Sequence, residues 1–179
     1  DIENYLKYIV PLIEDSNVVK VGVGLTFYGA CELAKKDNIK VVFSGLGSEE
    51  IFAGYERHKK SAESNANINK ECLSGLLKMY DRDLYRDDVI TMNNCIELRL
   101  PFLDKKLVEY VLKIPAKYKL SEIQNKISEE THDKTNETQN KTSEIQNKLI
   151  FRDIAKDIGI PSEFAERKKR AAQYGSSFD

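Results

Sequence analysis

Val41 to Tyr55, VVFSGLGSEEIFAGY, is the stretch whose reading decides the fold. Its lead-in, Ile39 to Phe43, is a short β-branched run, as expected of a strand covered on both faces in a parallel sheet. Gly45 and Gly47 then permit a tight turn with close backbone approach, and Ser48-Glu49-Glu50 opens a helix. The first N–H groups of such a helix lack backbone partners and attract phosphate or another anion. Two carboxylates at an anion site make chemical sense when a hard cation such as Mg²⁺ sits between them and the phosphates. The turn therefore predicts a nucleotide-phosphate site that needs a metal. A second reading stands beside it. Glycines after a strand also serve close packing, and acidic residues in a first helical turn gain about 0.3–1 kcal/mol each from the helix dipole with no ligand present.

Upstream of this stretch, Ile2, Leu6, Ile9, Val10 and Ile13 recur at helical spacing, and Pro11 predicts a kink. Val18 to Val23 reads as a short strand or an extended approach to a helix over Leu25–Lys36, with Phe27, Ala30, Leu33 and Ala34 facing inward. Asp37-Asn38 is a turn. Downstream, Ile68–Met79, Lys105–Leu112 and Leu149–Ile158 carry apolar residues at helical spacing, and no second strand is expected. The order is that of the carboxyl edge of a doubly wound α/β sheet, where ligands gather, followed by a mostly helical portion. Met92–Leu103 is an irregular apolar stretch, and Asp104 is placed to cap the helix after it. Glu97 and Arg99 alternate with Ile96, Leu98 and Leu100, which predicts two buried charges facing the same way, as a structural pair or toward a substrate.

Ser121–Lys148 stands apart. The hexamer SEIQNK occurs at Ser121–Lys126 and again at Ser143–Lys148, and the residues between are almost all polar. The segment predicts a solvated insertion, disordered or loosely helical, without a core of its own. Further on, Arg167-Lys168-Lys169-Arg170 is a basic run just before a Gln-Tyr-Gly-Ser turn. It reads either as a solvated face or as a source of point charge for phosphates.

Composition bounds the rest. The chain has 179 residues and is 41% hydrophobic, enough for one domain with a core. With 28 basic and 29 acidic residues, no global field favours nucleic acid or an anionic membrane. Cys31, Cys72 and Cys95 are too widely spaced for a disulfide framework or a CxxC metal site, which predicts a reduced, cytoplasmic protein. No apolar run reaches membrane-spanning length. His58 and His132, the only histidines, read as structural or solvated. The chain starts at Asp1 without an initiating Met, as a processed or partial chain does.

In this order and at these separations, VVFSGLGSEEIFAGY, then Arg86-Asp87-Asp88 with ELRLPFLD (Glu97–Asp104), then KRAAQYGS (Lys169–Ser176) resemble the C-terminal synthetase domain of the asparagine synthetase family. Leu46 and the KRAAQYGS ending point to its asparagine-synthetase-domain-containing branch. The family pattern SGxGxDExFxGY is matched by Ser44, Gly45, Gly47, Glu50, Phe52, Gly54 and Tyr55, and Glu49 stands where the family has Asp. The resemblance implies a pyrophosphatase-loop ATPase type of fold, a doubly wound parallel sheet with a helical C-terminal portion. It also implies that ATP adenylates the side-chain carboxylate of aspartate, releasing pyrophosphate, and that ammonia made from glutamine displaces AMP. Carried onto this chain, Ser44, Gly45, Leu46, Gly47 and Ser48 would shape the nucleotide and substrate turn, with Arg99 and Glu97 in the wall behind it. Glu49 would ligate Mg²⁺, and Lys169 and Glu50 would act on the reacting groups.

Three departures accompany the match. Leu46 occupies the position where the family places a Glu beside the reacting carboxyl, and Leu cannot accept a proton. Glu49 is longer than Asp by one C–C bond, roughly 1.5 Å. The SGGxDS phosphate loop and the amidotransferase domain lie outside this sequence, so a preceding segment or a partner chain is expected to supply them. The alternatives are a degenerate binding module and a synthetase for another carboxylic acid.

Overall fold

A computed structural model describes residues 2–64, 67–123, 144–168 and 171–176. Helix α1 (Ile2–Ile13) carries Pro11 internally, and α2 (Val18–Lys36) packs against it so that Ile9 and Ile13 are buried with Val21, Leu25, Tyr28 and Cys31. The expected strand at Val18–Val23 is instead the first turn and a half of α2. Asn17 explains the outcome: its side chain accepts from the N–H groups of Val19 and Lys20 and so starts the helix early. The buried face shifts accordingly. Phe27 and Ala34 only flank the core, Ala30 is exposed, and Leu33 is 63% exposed.

Strand β1 (Val41–Phe43) follows the Asp37-Asn38 turn, and α3 (Ser48–Ile51), α4 (Glu56–Glu63) and α5 (Ile68–Leu77) follow it. A π-helical turn over Tyr80–Leu84 leads into α6 (Tyr85–Asn93). Strand β2 (Glu97–Arg99) then pairs in parallel with β1, Val41 opposite Glu97 and Phe43 opposite Arg99. A strand does therefore exist in the second half of the chain, hidden in the sequence because only three residues pair. Among the described residues the expected doubly wound sheet is represented by this one parallel pair, and Phe43 is 70% exposed rather than covered. The charges on β2 are also not buried. Glu97 and Arg99 face solvent and pair with each other at 2.9 Å, since alternate residues of an edge strand share its outer face.

After a 3₁₀ turn at Pro101–Leu103, Asp104 caps α7 (Lys105–Val111) as expected, its carboxylate accepting from Leu107 N at 3.0 Å. The ends of the polar insertion form a hairpin, β3 (Leu120–Ile123) antiparallel to β4 (Glu144–Asn147), with Leu120 opposite Asn147. Leu120 and Ile145 are buried with Ala53, Ile68 and Cys72, so the second SEIQNK copy belongs to a core. The expectation for residues 124–143, and His132 with them, lies outside the described residues. Helices α8 (Leu149–Asp157), α9 (Ser162–Ala165) and α10 (Ala172–Ser176) complete the chain. No helix among the described residues is long and apolar enough to cross a membrane. The cysteines are free, and burial raises the Cys31 thiol to about 11, as suits a packing residue.

Of the two readings offered for His58, structural or solvated, the structure shows the first: the residue is fully buried. Its Nδ1 accepts from Tyr55 N at 3.1 Å, and burial, reinforced by Arg57, Lys119 and Arg82, lowers its pKa from 6.5 to about 4. Below pH 6.5 the unfolded chain protonates this ring while the folded ring stays neutral to about pH 4. The contribution to stability is complete above 6.5 and lost as the pH falls through that window, by roughly 3 kcal/mol in total. Urea unfolding between pH 7 and 4.5 should show a steeper loss for the wild type than for His58→Gln, and parallel profiles would refute the assignment.

Candidate functional site

The turn after β1 is held by its own backbone and by β2. Ser44 N donates to Arg99 O at 3.0 Å, Ser48 N to Gly45 O at 3.2 Å, and Leu46 N to Ser44 Oγ at 3.3 Å. Gly47 sits at φ +94°, and a Cβ there would come within 2.5 Å of Leu103 Cδ2. Only glycine combines that backbone with that contact. The close approach thus brings SGLG onto the PFL of ELRLPFLD. The helix that follows is a single turn, Ser48–Ile51, too short to align many peptide dipoles. The charge available to an anion must come from side chains.

Glu49 and Glu50 diverge. Glu50 is 1% exposed, and its Oε1 accepts from Arg82 Nη2 at 2.6 Å. Arg82 arrives on the π-helical turn, also bonds Asp83 at 2.9 Å, and lies with Arg57 against the ring of Tyr55. Burial, then the nearby Glu50 carboxylate, raises the Tyr55 phenol above its ordinary value. The sequence placed Glu50 among the reacting groups. The structure turns it inward, since successive residues of a helical turn point about 100° apart, and gives it a structural partner. Asp87 of the Arg-Asp-Asp motif is likewise buried, paired with Arg86 at 2.7 Å.

Glu49 points the other way. Its Oε2 accepts from Ser48 Oγ at 2.8 Å and its Oε1 from Lys148 Nζ at 2.9 Å. It borders a cleft of about 330 Å³ whose lining includes Gly54, Lys148, Phe151, Arg152 and Lys168. Arg152 braces the far wall: Nη1 donates to Ala165 O at 2.6 Å and to Arg167 O at 3.3 Å, and Nε donates to Asn147 O at 2.9 Å. The approach to the basic run is thereby fixed against the end of β4. Below the cleft, Phe52, Phe102 and Phe151 form one aromatic cluster, with Phe52 and Phe151 stacked at 4.9 Å.

The structure thus gathers Ser44, Gly45, Leu46, Gly47, Ser48 and Glu49 on one turn and brings Lys168 to the cleft beside Glu49. Arg99 touches the turn through its carbonyl, while its side chain faces solvent. Lys169 lies outside the described residues. Sequence reasoning missed Lys148, Arg152 and Arg82. The one signal for Lys148 was the return of SEIQNK, which marks where the chain re-enters the fold.

Comparison with known proteins agrees with this arrangement of motifs. The family model described as asparagine synthase matches residues 1–69 and 60–178. The chain belongs to the asparagine synthase family. Among members of this family, a Methanocaldococcus jannaschii protein provisionally named as a glutamine-hydrolyzing asparagine synthetase is 38% identical over 98% of this chain and 35% of its own length. The human asparagine synthetase domain-containing protein 1 is 32% identical over 79% of this chain and 19% of its own length. The chicken glutamine-hydrolyzing asparagine synthetase is 33% identical over 60% and 19%. The chain spans about a third or less of the length of these asparagine synthase family relatives.

Proposed function

We propose that this chain is the C-terminal synthetase portion of an ATP- and Mg²⁺-dependent amidoligase, which adenylates a carboxylate, aspartate foremost, releases pyrophosphate, and passes the acyl group to ammonia derived from glutamine. The observation that supports it is the cleft in which the Glu49 turn faces Lys148 and the approach to the basic run. Phosphates released at this place meet cations, and one carboxylate is at hand for a metal. Among the described residues no group of three His, Cys, Asp or Glu is disposed to hold a metal ion. A hard cation such as Mg²⁺ would be held there by the Glu49 carboxylate together with oxygens of the substrate and water. Bound there, Mg²⁺ would neutralise charge on the phosphates. Ser44, Gly45, Gly47 and Ser48 would present the turn to substrate, Glu49 would hold the metal, and Lys169 would lie against pyrophosphate. Glu50 supports the turn from beneath. A preceding segment or partner chain supplies the remaining wall of the nucleotide site.

Incubating the complete protein with ATP, Mg²⁺ and labelled pyrophosphate should give aspartate-dependent exchange. No exchange with aspartate or with any of a panel of carboxylic acids would sink the ligase reading. Leu46 favours a second reading, a synthetase fold kept as a binding module, because the turn lacks a proton acceptor at that position. Titration with ATP separates the two, since a module of that kind shows no Mg²⁺-dependent nucleotide binding.

A further inference from the structure

Three tyrosines that no motif assigns meet where α1 packs against α2, at a place that shares no residue with the Glu49 cleft. Tyr5 and Tyr8 lie about one turn apart on α1, a spacing that puts both rings on one face, and Tyr28 of α2 contacts each of them. The Tyr28 ring centroid is 5.9 Å from that of Tyr5 at an interplanar angle of 70°, and 5.5 Å from that of Tyr8 at 58°. The three side chains and Asn4 line a cavity of about 320 Å³. Core packing accounts for Tyr28, which is buried, but leaves Tyr8 46% exposed. The hydroxyls of the two outer rings are tied elsewhere. Tyr5 Oη donates to Glu32 Oε2 at 2.7 Å, and Tyr8 Oη donates to Asn93 Oδ1 at 3.0 Å, at the end of α6. Each bond fixes a ring by its tip, so the aromatic surface is oriented before any ligand arrives.

The electrostatics of this place favour a cation. An aromatic face is the negative side of the ring quadrupole, and several faces around one opening attract positive charge. The phenols stay neutral, because the hydrogen bond to Glu32 raises the pKa of Tyr5 and burial raises that of Tyr28 to about 12. Glu32 adds a full negative charge: it lies one turn beyond Tyr28 on α2 and forms no ion pair among the described residues. With two hydroxyls already committed, the walls offer little to replace the water around a strongly hydrated cation. The charge that suits them is diffuse and clothed in carbon. We propose that Tyr5, Tyr8 and Tyr28 form an aromatic site for a trimethylammonium group, with Glu32 as its counter-charge. This site stands apart from the synthetase chemistry, and its occupancy does not depend on the amidoligase reading.

Tyrosine fluorescence of the full chain, which has no tryptophan, follows the binding. The probes are choline, its neutral isostere 3,3-dimethyl-1-butanol, and vesicles of phosphatidylcholine. Choline is expected to bind about tenfold more tightly than the isostere. Tyr8→Leu is expected to weaken choline by about fivefold, the loss of one ring face, while Tyr8→Phe keeps the face and leaves the affinity unchanged. Glu32→Gln retains all three rings, so it serves should Tyr8→Leu fail to fold; it is expected to weaken choline and leave the isostere unchanged. Equal affinities for choline and the isostere, no binding of either, or a loss in Tyr8→Phe as large as in Tyr8→Leu overturns the proposal. Choline binding without vesicle capture places the trimethylammonium on a free small molecule. Choline binding together with vesicle capture that Tyr8→Leu abolishes places it on a lipid headgroup.

Discussion

Arg82→Met is expected to lower folding stability by about 3–5 kcal/mol, read as a shift of the urea unfolding midpoint at constant slope. The reason is the carboxylate left behind. Glu50 is 1% exposed and its Oε1 receives Arg82 Nη2 at 2.6 Å; without the guanidinium the carboxylate keeps the Tyr55 hydroxyl as a partner but loses the charge that offsets its desolvation. Arg82 also packs its charged plane toward Tyr55 and bonds Asp83, so the variant loses contacts on both flanks. The double variant Glu50→Leu, Arg82→Met should recover most of the loss, because a buried pair replaced as a unit by apolar groups is often neutral. A loss below about 1 kcal/mol in Arg82→Met would show that another group or water satisfies Glu50. A double variant no better than the single one would assign the loss to packing.

In the ligase reading, Lys169→Ala is expected to lower pyrophosphate exchange by about a hundredfold or more, the scale on which a cation or donor aimed at developing charge acts. Lys168→Ala is expected to change it by less than about fivefold, a loss typical of a rim charge. The contrast is demanding because Lys168 lines the cleft, so proximity by itself predicts a large effect at 168. What favours 169 is the resemblance to the family's KRAAQYGS ending. Arg152 anchors the carbonyls of Ala165 and Arg167, giving the basic run a fixed starting point. Equal losses at the two positions would mean that the run acts as a diffuse positive face. A dominant loss at Lys168 would move the phosphate contact one residue toward Arg152.

Much of the fold was legible where local physics decides it. The helices at Ile2–Ile13, Ile68–Leu77, Lys105–Val111 and Leu149–Asp157 follow from 3.6-residue apolar spacing, and Asp104 caps the helix after it with its side chain. Strand β1 followed from three β-branched or aromatic residues between turn signals. The failures share a cause. Strand β2 is three residues long and pairs because β1 lies beside it, so the alternation over Ile96–Leu100 is too short to announce a strand by itself. The hairpin that closes the polar insertion pairs residues 21 apart at Ile123 with Glu144 and 27 apart at Leu120 with Asn147 only in space, while in sequence its strands look as hydrophilic as the residues between them.

The sequence by itself determined the family, because that depends on residue types at short spacing: the glycines of the SGLG turn, a serine beside a carboxylate, a basic run near the end. Tertiary structure alone decided what each charge does. Glu49 and Glu50 are adjacent and chemically identical, yet one meets Lys148 at a cleft and the other meets Arg82 in the interior. Their partners lie 99 and 32 residues away. A carboxylate's role is set by the charge it faces and by its access to water, and for these two residues both are fixed by packing between segments that no local pattern connects.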